Sequence, residues 1–106
     1  MSTVTVIDLD KLYKVESVDD IEQYKFYLIN NIRENSKKKF IVIAKCILID
    51  ERDEGPISRA EFNDVYSIRN DWNDGLLQNW DIDKADFEKI YDVYYITKDD
   101  YPEYYI

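Results

Sequence analysis

The stretch FIVIAKCILI, residues 40–49, is the most apolar part of the chain, and it decides the predicted fold. Five of its ten residues are β-branched, and Lys45 is its single charged residue. β-Branched residues favour strands, and an apolar run without alternation is typical of a strand covered on both faces. We therefore predict a long central strand, with other elements packed against the sheet that contains it.

Upstream of this strand, the sequence predicts a short strand and a helix. The β-branched residues of segment 3–7 alternate as in a strand. Ser17 precedes three acidic residues, which is the arrangement of a helix N-terminus, and apolar side chains then recur at helical spacing as far as Ile32. We therefore predict a helix over residues 18–34.

A second helix is predicted just after the central strand. Residues 50–56 read as a charged turn, and the sequence S-R-A-E at 58–61 is a capping box. In a capping box, the serine and the glutamate three residues later satisfy the free amides at the start of a helix. This helix should continue to about Trp72 and end at the Asn-Asp-Gly turn of residues 73–75.

The last part of the chain is predicted to hold a third helix and a final strand. Asp81 or Asp83 is placed to cap a helix that ends near Tyr91. The residues VYYIT at 93–97 favour a strand, and residues 76–80 are ambiguous between a short strand and a loop.

Two of these segments, 58–68 and 83–93, resemble each other. They carry alanine, phenylalanine and tyrosine at matching positions. Two interpretations remain open: either two capped amphipathic helices have similar sequences independently, or the segments arose by an internal duplication.

Together these elements predict a single small α+β domain over residues 1–106. It would contain a mixed β-sheet with a long central strand and about three helices, some of them packed on the sheet. Its last residues, 98–106, would form an acidic, tyrosine-rich tail. A chain of 106 residues suits one domain with one core.

Composition excludes several classes of function. The chain has no histidine, one cysteine and two glycines. It therefore lacks the commonest general base, the ligands of the usual structural zinc sites, an internal disulfide, and the glycine-rich loops that bind phosphates or dinucleotides. We expect no enzymatic activity, no cofactor and no metal. With 45% apolar residues, no membrane-length apolar run and no signal-peptide pattern, we expect a folded cytoplasmic protein.

Charge is distributed unevenly along the chain. The net charge is −9, and residues 50–106 carry 16 acidic against 6 basic side chains. Such a field attracts cationic partners and repels nucleic acids and anionic membranes. The run Lys37–Lys39 is then best interpreted as a solvated turn rather than a phosphate-binding patch.

Carboxylates and aromatic side chains alternate in this acidic half. Tyrosine and tryptophan are enriched at binding hot spots, while carboxylates steer association and reject wrong partners. The pattern predicts a partner-binding surface, unless it is merely a solvated acidic face. The candidate residues are Asp71, Trp72, Asp74, Trp80, Asp81, Asp83, Asp86, Asp99, Asp100, Tyr101, Glu103, Tyr104 and Tyr105.

Three features could instead carry chemistry. Residues 50–61 have the spacing of an EF-hand calcium loop, with Asp50, Glu54 and Glu61 as ligands, but the third position holds Arg52, which would repel the ion. The pair Asp81 and Asp83 could hold magnesium, although helix capping explains both residues. The single cysteine, within the apolar strand, is interpreted as an inert core residue.

In size, charge and composition, the chain is similar to small acidic inhibitors that phages and mobile elements make against restriction, CRISPR or repair enzymes. Immunity proteins that neutralise nuclease toxins are similar in the same respects. No residue motif carries this resemblance. It implies a non-catalytic inhibitor, such as a DNA mimic, that blocks the basic groove of a nucleic-acid-binding protein. The alternatives are a calcium-binding domain or a subunit that self-associates, for example as a homodimer.

Overall fold

The computed structural model describes residues 7–32, 40–51, 57–70, 76 and 78–105. Within these residues it contains five strands, one short α-helix and three 3-10 turns. The strands are β1 (Phe26–Asn31), β2 (Phe40–Glu51), β3 (Ile57–Asn70), β4 (Trp80–Asp83) and β5 (Tyr91–Ile96). The helix is α1 (Lys84–Lys89), and the 3-10 turns are Leu9–Lys11, Val18–Asp20 and Pro102–Tyr104.

The five strands form one antiparallel sheet in the order β4-β3-β2-β1-β5, which curls into a half-barrel. Helix α1 connects the two edge strands, β4 and β5. Six helical residues rise only about 9 Å, whereas the edges of a flat five-stranded sheet lie about 19 Å apart. The short connection therefore requires the edges to approach each other, and curling brings them together.

Bulges between the two longest strands allow this curl. The pairing of β2 with β3 shifts register at four places, and two of the shifts leave Val65 and Ile68 of β3 without a direct partner in β2. An extra residue in one strand bends that strand and increases the local twist of the sheet. The longest ladder of the sheet is thus the one that carries the bulges.

The inner core lies on the face of the sheet that also receives α1. Alternate residues of β3, Ala60 and Phe62, are fully buried there, together with Ile82 of β4 and Phe87 of α1. The Phe62 ring packs edge-on to Tyr27 at 6.3 Å between centroids and lies 5.4 Å from Trp80. Side chains from all five strands and from α1 therefore share one apolar cluster.

A second core lies on the outer face of the sheet. Leu28, Ile43 and Ile96 are buried there, and residues from both ends of the described chain cover them. Tyr104 is 8% exposed, and the Tyr105 ring lies 4.3 Å from that of Phe26. The sheet is consequently covered on both faces around β1 and the first half of β2, as predicted for the central strand, whereas Leu48 further along β2 is 43% exposed.

The predicted α+β class with about three helices is wrong. Over the described residues, the chain is mostly β, with α1 as its one α-helix and an antiparallel rather than mixed sheet. The final strand and the third helix are confirmed in position, as β5 and α1. The Asp83 carboxylate accepts a hydrogen bond from the Asp86 amide at 2.8 Å, so the predicted cap of that helix is also present. The ambiguous residues before it lead into β4, which begins at Trp80.

The helix predicted from residue 58 to Trp72 is strand β3 as far as Asn70. Ala60 and Phe62 are both 0% exposed, which fits a strand with a period of two. In a helix these two side chains would point about 200° apart. The bulge at Val65 breaks the alternation of apolar residues, and the resulting spacing resembles that of a helix.

The helix predicted over residues 18–34 is also wrong. Ser17 does cap a turn, since its hydroxyl accepts a hydrogen bond from the Asp19 amide at 3.2 Å, but that 3-10 turn ends at Asp20. Strand β1 follows, with Phe26–Ile29 all buried because both faces of the sheet are covered. Residues buried on both faces show no alternation that would have indicated a strand.

Two further predictions concern the ends and the internal similarity. The predicted strand over residues 3–7 lies outside the described residues, except for Ile7. Segments 58–68 and 83–93 have different structures, one within β3 and the other comprising α1 and the start of β5. The interpretation as two similar capped helices is therefore wrong.

A buried hydrogen bond connects β3 to β4 and gives a testable prediction. The Trp80 indole N–H donates to the Asp64 carboxylate at 2.6 Å, and Asp64 is only 8% exposed. Asp64→Ala should lower the free energy of unfolding by about 1–3 kcal/mol, because the half-buried indole loses its acceptor. Asp64→Asn keeps an acceptor oxygen and should lower the free energy of unfolding clearly less. Urea unfolding of both variants checks this, and equal losses would contradict it.

Candidate functional site

Several of the predicted partner-binding residues maintain the fold. Trp80 packs against Phe62 and bonds to Asp64, and the Asp81 carboxylate lies 2.7 Å from the Arg59 guanidinium. Asp83 caps α1. On the same helix Asp86 is half-buried in the first turn, where the helix dipole stabilises its negative charge. These side chains have structural partners or roles that limit what they can offer to another protein.

Other predicted residues lie outside the described part of the chain. These are Asp71, Trp72 and Asp74 and, for the calcium alternative, Glu54 and the side chain of Asp50. Glu61 lies in β3 with its carboxylate 3.6 Å from Arg59. The elements on both sides of this loop are strands, β2 and β3, whereas an EF-hand has helices there.

The predicted acidic tail packs onto the sheet. Tyr104 is buried against the ring of Tyr66, and the Tyr105 hydroxyl donates to the carbonyl of Ile96. Asp100 bonds to the Thr97 hydroxyl at 3.0 Å. Tyr101 is half-buried, whereas Asp99 and Glu103 are exposed. Of the predicted binding residues in this stretch, Asp99 and Asp100 are exposed, and each lines a surface depression.

Among the residues that the structure describes, the most concentrated exposed carboxylates occur in a segment outside the predicted binding residues. Residues 16–22, called here the acidic segment, carry four exposed carboxylates and no basic residue. They are Glu16, Asp19, Asp20 and Glu22. Between them Val18 and Ile21 are at most 2% exposed and belong to the inner core, as does the preceding Val15. Buried anchors therefore hold the acidic side chains on the surface.

Backbone hydrogen bonds fix the acidic segment to the sheet. The Val15 amide donates to the Val93 carbonyl at 2.7 Å, along the outer edge of β5. At the other end, the Glu22 amide donates to the Tyr27 hydroxyl at 2.8 Å. Burial raises the pKa of Tyr27, which keeps this hydroxyl neutral. The segment is consequently part of the rigid framework.

Tyr95 lies near the end of β5, and its ring packs against that of Tyr27 of β1 at 5.9 Å between centroids. Burial, followed by the charges of Asp20, Glu22 and Glu16, raises the pKa of its hydroxyl. Three carboxylates of the acidic segment are thus close enough to act on this one group. The sequence places them more than seventy residues from Tyr95.

Two depressions lie on either side of Tyr95 and Thr97. The larger, called here the tyrosine groove, has a volume of about 550 Å³ and runs between residues 22–27 and 95–99, with Tyr105. The smaller has about 300 Å³ and includes Tyr13, Asp100 and Tyr101 in its lining. Each has one strongly exposed tyrosine in its lining, since Tyr24 is 64% and Tyr13 80% exposed. Exposed aromatic side chains of this kind are typical of protein-binding surfaces.

The sequence did contain a signal for this site. Apolar residues recur every three positions from Val15 to Ile21, with acidic residues between them, and residues 15–24 have no lysine or arginine. The net charge of +1 over residues 1–49 conceals the segment, because lysines elsewhere in that half offset it.

Cys46 is buried and without a disulfide partner, and it provides a prediction about reactivity. Burial raises the pKa of its thiol to about 11. At pH 8 only about one thiol in a thousand is then ionised, and the thiolate is the nucleophile. The native protein should react with a thiol reagent such as DTNB far more slowly than the urea-unfolded protein. Equal rates in both states would contradict the burial of this residue.

No group of three or more metal-ligating side chains occurs among the residues that the structure describes. Within the same residues, no helix is long and apolar enough to cross a membrane. No protein-family model, curated protein or solved structure matches the chain.

Proposed function

We propose that this protein is a non-catalytic, acidic inhibitor that binds the basic groove of a nucleic-acid-handling protein. The observation that carries the proposal is the acidic segment, which presents Glu16, Asp19, Asp20 and Glu22 beside two tyrosine-lined depressions. The inhibitor acts by occupying the groove and by repelling the phosphates that would otherwise enter it. This mechanism needs no bond making or breaking.

Rigidity of the acidic segment favours binding. Its apolar residues, Val18 and Ile21, are buried; Val15 just before it is hydrogen-bonded to β5, and its last residue, Glu22, is hydrogen-bonded to Tyr27 of β1. A surface that is ordered before binding loses little conformational entropy when the partner docks. Because the backbone that carries them is anchored, the exposed carboxylates can contribute more of their interaction energy to affinity than those of an unfolded segment could.

The charge of the chain favours a basic partner. The net charge of −9 attracts lysine- and arginine-rich surfaces over long distances and accelerates association at low salt. Proteins that handle nucleic acids present such surfaces, because they contact phosphates with lysine and arginine. An origin in a phage or mobile element, and action in the cytoplasm of a bacterial host, form part of the same proposal.

Comparative affinity capture tests the proposal. The baits are the wild-type chain, a site variant with Asp20→Lys and Glu22→Lys, and a control with Asp86→Lys and Glu88→Lys on α1. Both variants change the net charge from −9 to −5, so they differ in the position of the change. Each bait is incubated with nuclease-treated bacterial lysate, washed at low and high salt, and analysed by mass spectrometry.

We expect the wild-type and control baits to retain a nucleic-acid-binding protein that the site variant loses. Recovery of a nuclease that is a secreted toxin would identify the immunity-protein form of the same activity. A partner that is not basic, or that all three baits retain equally, would overturn the proposal.

A further inference from the structure

The tyrosine groove combines aromatic walls with acidic rims. Four tyrosines contribute to its lining, namely Tyr24, Tyr27, Tyr95 and Tyr105. Glu22 and Asp99 lie at its two sides, in the chain segments just before β1 and just after β5. A volume of about 550 Å³ is within the range of pockets that enclose a small ligand or a few side chains.

The backbone of Tyr24 holds its side chain in an unusual position. Its φ angle is +69°, in the left-handed region that a tyrosine rarely adopts. Its amide donates to the Cys46 carbonyl at 2.6 Å, and the next carbonyl, that of Lys25, accepts from the Cys46 amide at 2.9 Å. The β2 strand therefore fixes a strained residue whose large side chain is 64% exposed. Strain of this kind is concentrated at functional sites.

This tyrosine already binds a cation within the protein. The Lys45 ammonium lies 5.7 Å from the centroid of the Tyr24 ring and 5.8 Å from that of Phe26. These are distances at which the negative face of an aromatic ring attracts a positive charge. Because Tyr24 is still mostly exposed, its ring keeps surface available to a second cation from outside.

Charge around the groove has the sign that such a cation requires. Glu16, Asp20 and Glu22 act on Tyr95, and Asp99 lines the groove from the other side. Within the lining, Lys25 and Lys98 balance Glu22 and Asp99, and Lys45 adds a third ammonium beside Tyr24. Together with Glu16 and Asp20 of the acidic segment, four carboxylates face three ammonium groups, so the charge around the groove is negative by one.

We propose that the tyrosine groove binds an arginine side chain from a basic segment of the partner, with Tyr24 and Tyr95 beside the guanidinium and Glu22 and Asp99 as its counter-ions. This assignment rests on the proposed function and specifies the contact that gives it selectivity. Arginine fits better than lysine because its planar guanidinium stacks on aromatic rings and is less strongly hydrated than an ammonium. The acidic segment supplies attraction at long range, and the groove supplies recognition at contact.

The test uses three synthetic peptides of the sequence Gly-X-Gly-Gly-X-Gly-Gly-X-Gly, with X as arginine, lysine or citrulline. Citrulline has the shape of arginine without its charge. Each peptide is titrated into the 15N-labelled protein and followed by NMR. We expect the arginine peptide to bind most tightly, the lysine peptide about two- to fivefold more weakly, and the citrulline peptide not measurably. Backbone shifts should be concentrated at residues 22–27 and 95–99.

Variants of the groove separate stacking from charge. Tyr24→Leu should weaken binding of the arginine peptide about two- to fivefold. Tyr24→Phe keeps the ring and should change the affinity little. Lys98→Glu removes an opposing charge and should strengthen binding. The dispersion of the NMR spectrum shows that each variant is folded.

Three results would overturn the inference: equal binding of the arginine and citrulline peptides, shifts concentrated outside the groove, or equal effects of Tyr24→Leu and Tyr24→Phe. Capture of a basic partner together with one of these results would leave the proposed function intact and remove the groove from it. Groove binding together with capture of a partner that does not handle nucleic acids would leave the arginine site and overturn the function.

Discussion

Phe62→Ala should lower the free energy of unfolding by about 3–5 kcal/mol, because it removes the largest apolar contact of β3 with the inner core. Phe62 is 0% exposed and packs against Tyr27 and Trp80. A domain of this size is stabilised by about 5–15 kcal/mol, so the variant should melt roughly 15 °C lower or more. Differential scanning calorimetry measures the shift.

Two companion variants make this prediction specific. Phe62→Leu keeps most of the apolar volume and should cost about 1–2 kcal/mol, which keeps the effect measurable if the alanine variant does not fold. Ile68→Ala is the matched control on the same strand, because Ile68 is 45% exposed and should matter by less than about 1 kcal/mol. Similar losses of unfolding free energy for Phe62→Ala and Ile68→Ala would contradict the placement of Phe62 in the inner core.

Reversing two charges of the acidic segment should slow association with the captured partner by roughly tenfold or more at low salt. The variant with Asp20→Lys and Glu22→Lys places positive charge where the partner's basic groove docks, so encounters are repelled instead of steered. The association rate of the wild type should fall steeply as salt is added, because mobile ions screen the field. Stopped-flow or surface plasmon resonance measures both rates.

The α1 control variant, with Asp86→Lys and Glu88→Lys, separates local from overall charge. It changes the net charge equally but not the proposed contact, and we expect its association rate to fall about twofold to threefold. Similar slowing by both variants would show that net charge alone governs association. The acidic segment would then not be the contact surface.

The central strand could be predicted because its evidence lies in its own residues. A run of β-branched and apolar side chains from Phe40 to Ile49 fits a strand that is buried on both faces, whatever surrounds it. The cap of α1 is equally local, since Asp83 bonds to an amide three residues later. Both features depend only on neighbouring residues, and both are present in the structure.

Strands β1 and β3 could not be predicted in this way. Bulges opposite β2 displace Val65 and Ile68, and they give β3 an apolar spacing like that of a helix. A bulge arises from pairing with a distant strand and leaves no distinct mark in the local sequence. In β1, the inner core buries one face and residues from the two ends of the described chain bury the other, so no alternation remains.

Much of the candidate site was missed for a related reason. The abundance of carboxylates predicted a binding surface within residues 71–105, but Asp81, Asp83 and Asp100 have partners within the fold. The acidic segment lies next to Tyr95 because the chain just before it pairs with the outer edge of β5. Contacts between residues so far apart in sequence depend on the strand order, which composition and periodicity do not determine.

Competition with nucleic acid tests most directly whether this protein blocks the basic groove of its partner. The captured partner is incubated with the fluorescently labelled nucleic acid that it binds, and the chain is added while anisotropy is recorded. We predict complete displacement of the nucleic acid, with an apparent affinity that weakens in proportion to the nucleic-acid concentration. A ternary complex of the chain, the partner and the nucleic acid would contradict the proposed mechanism.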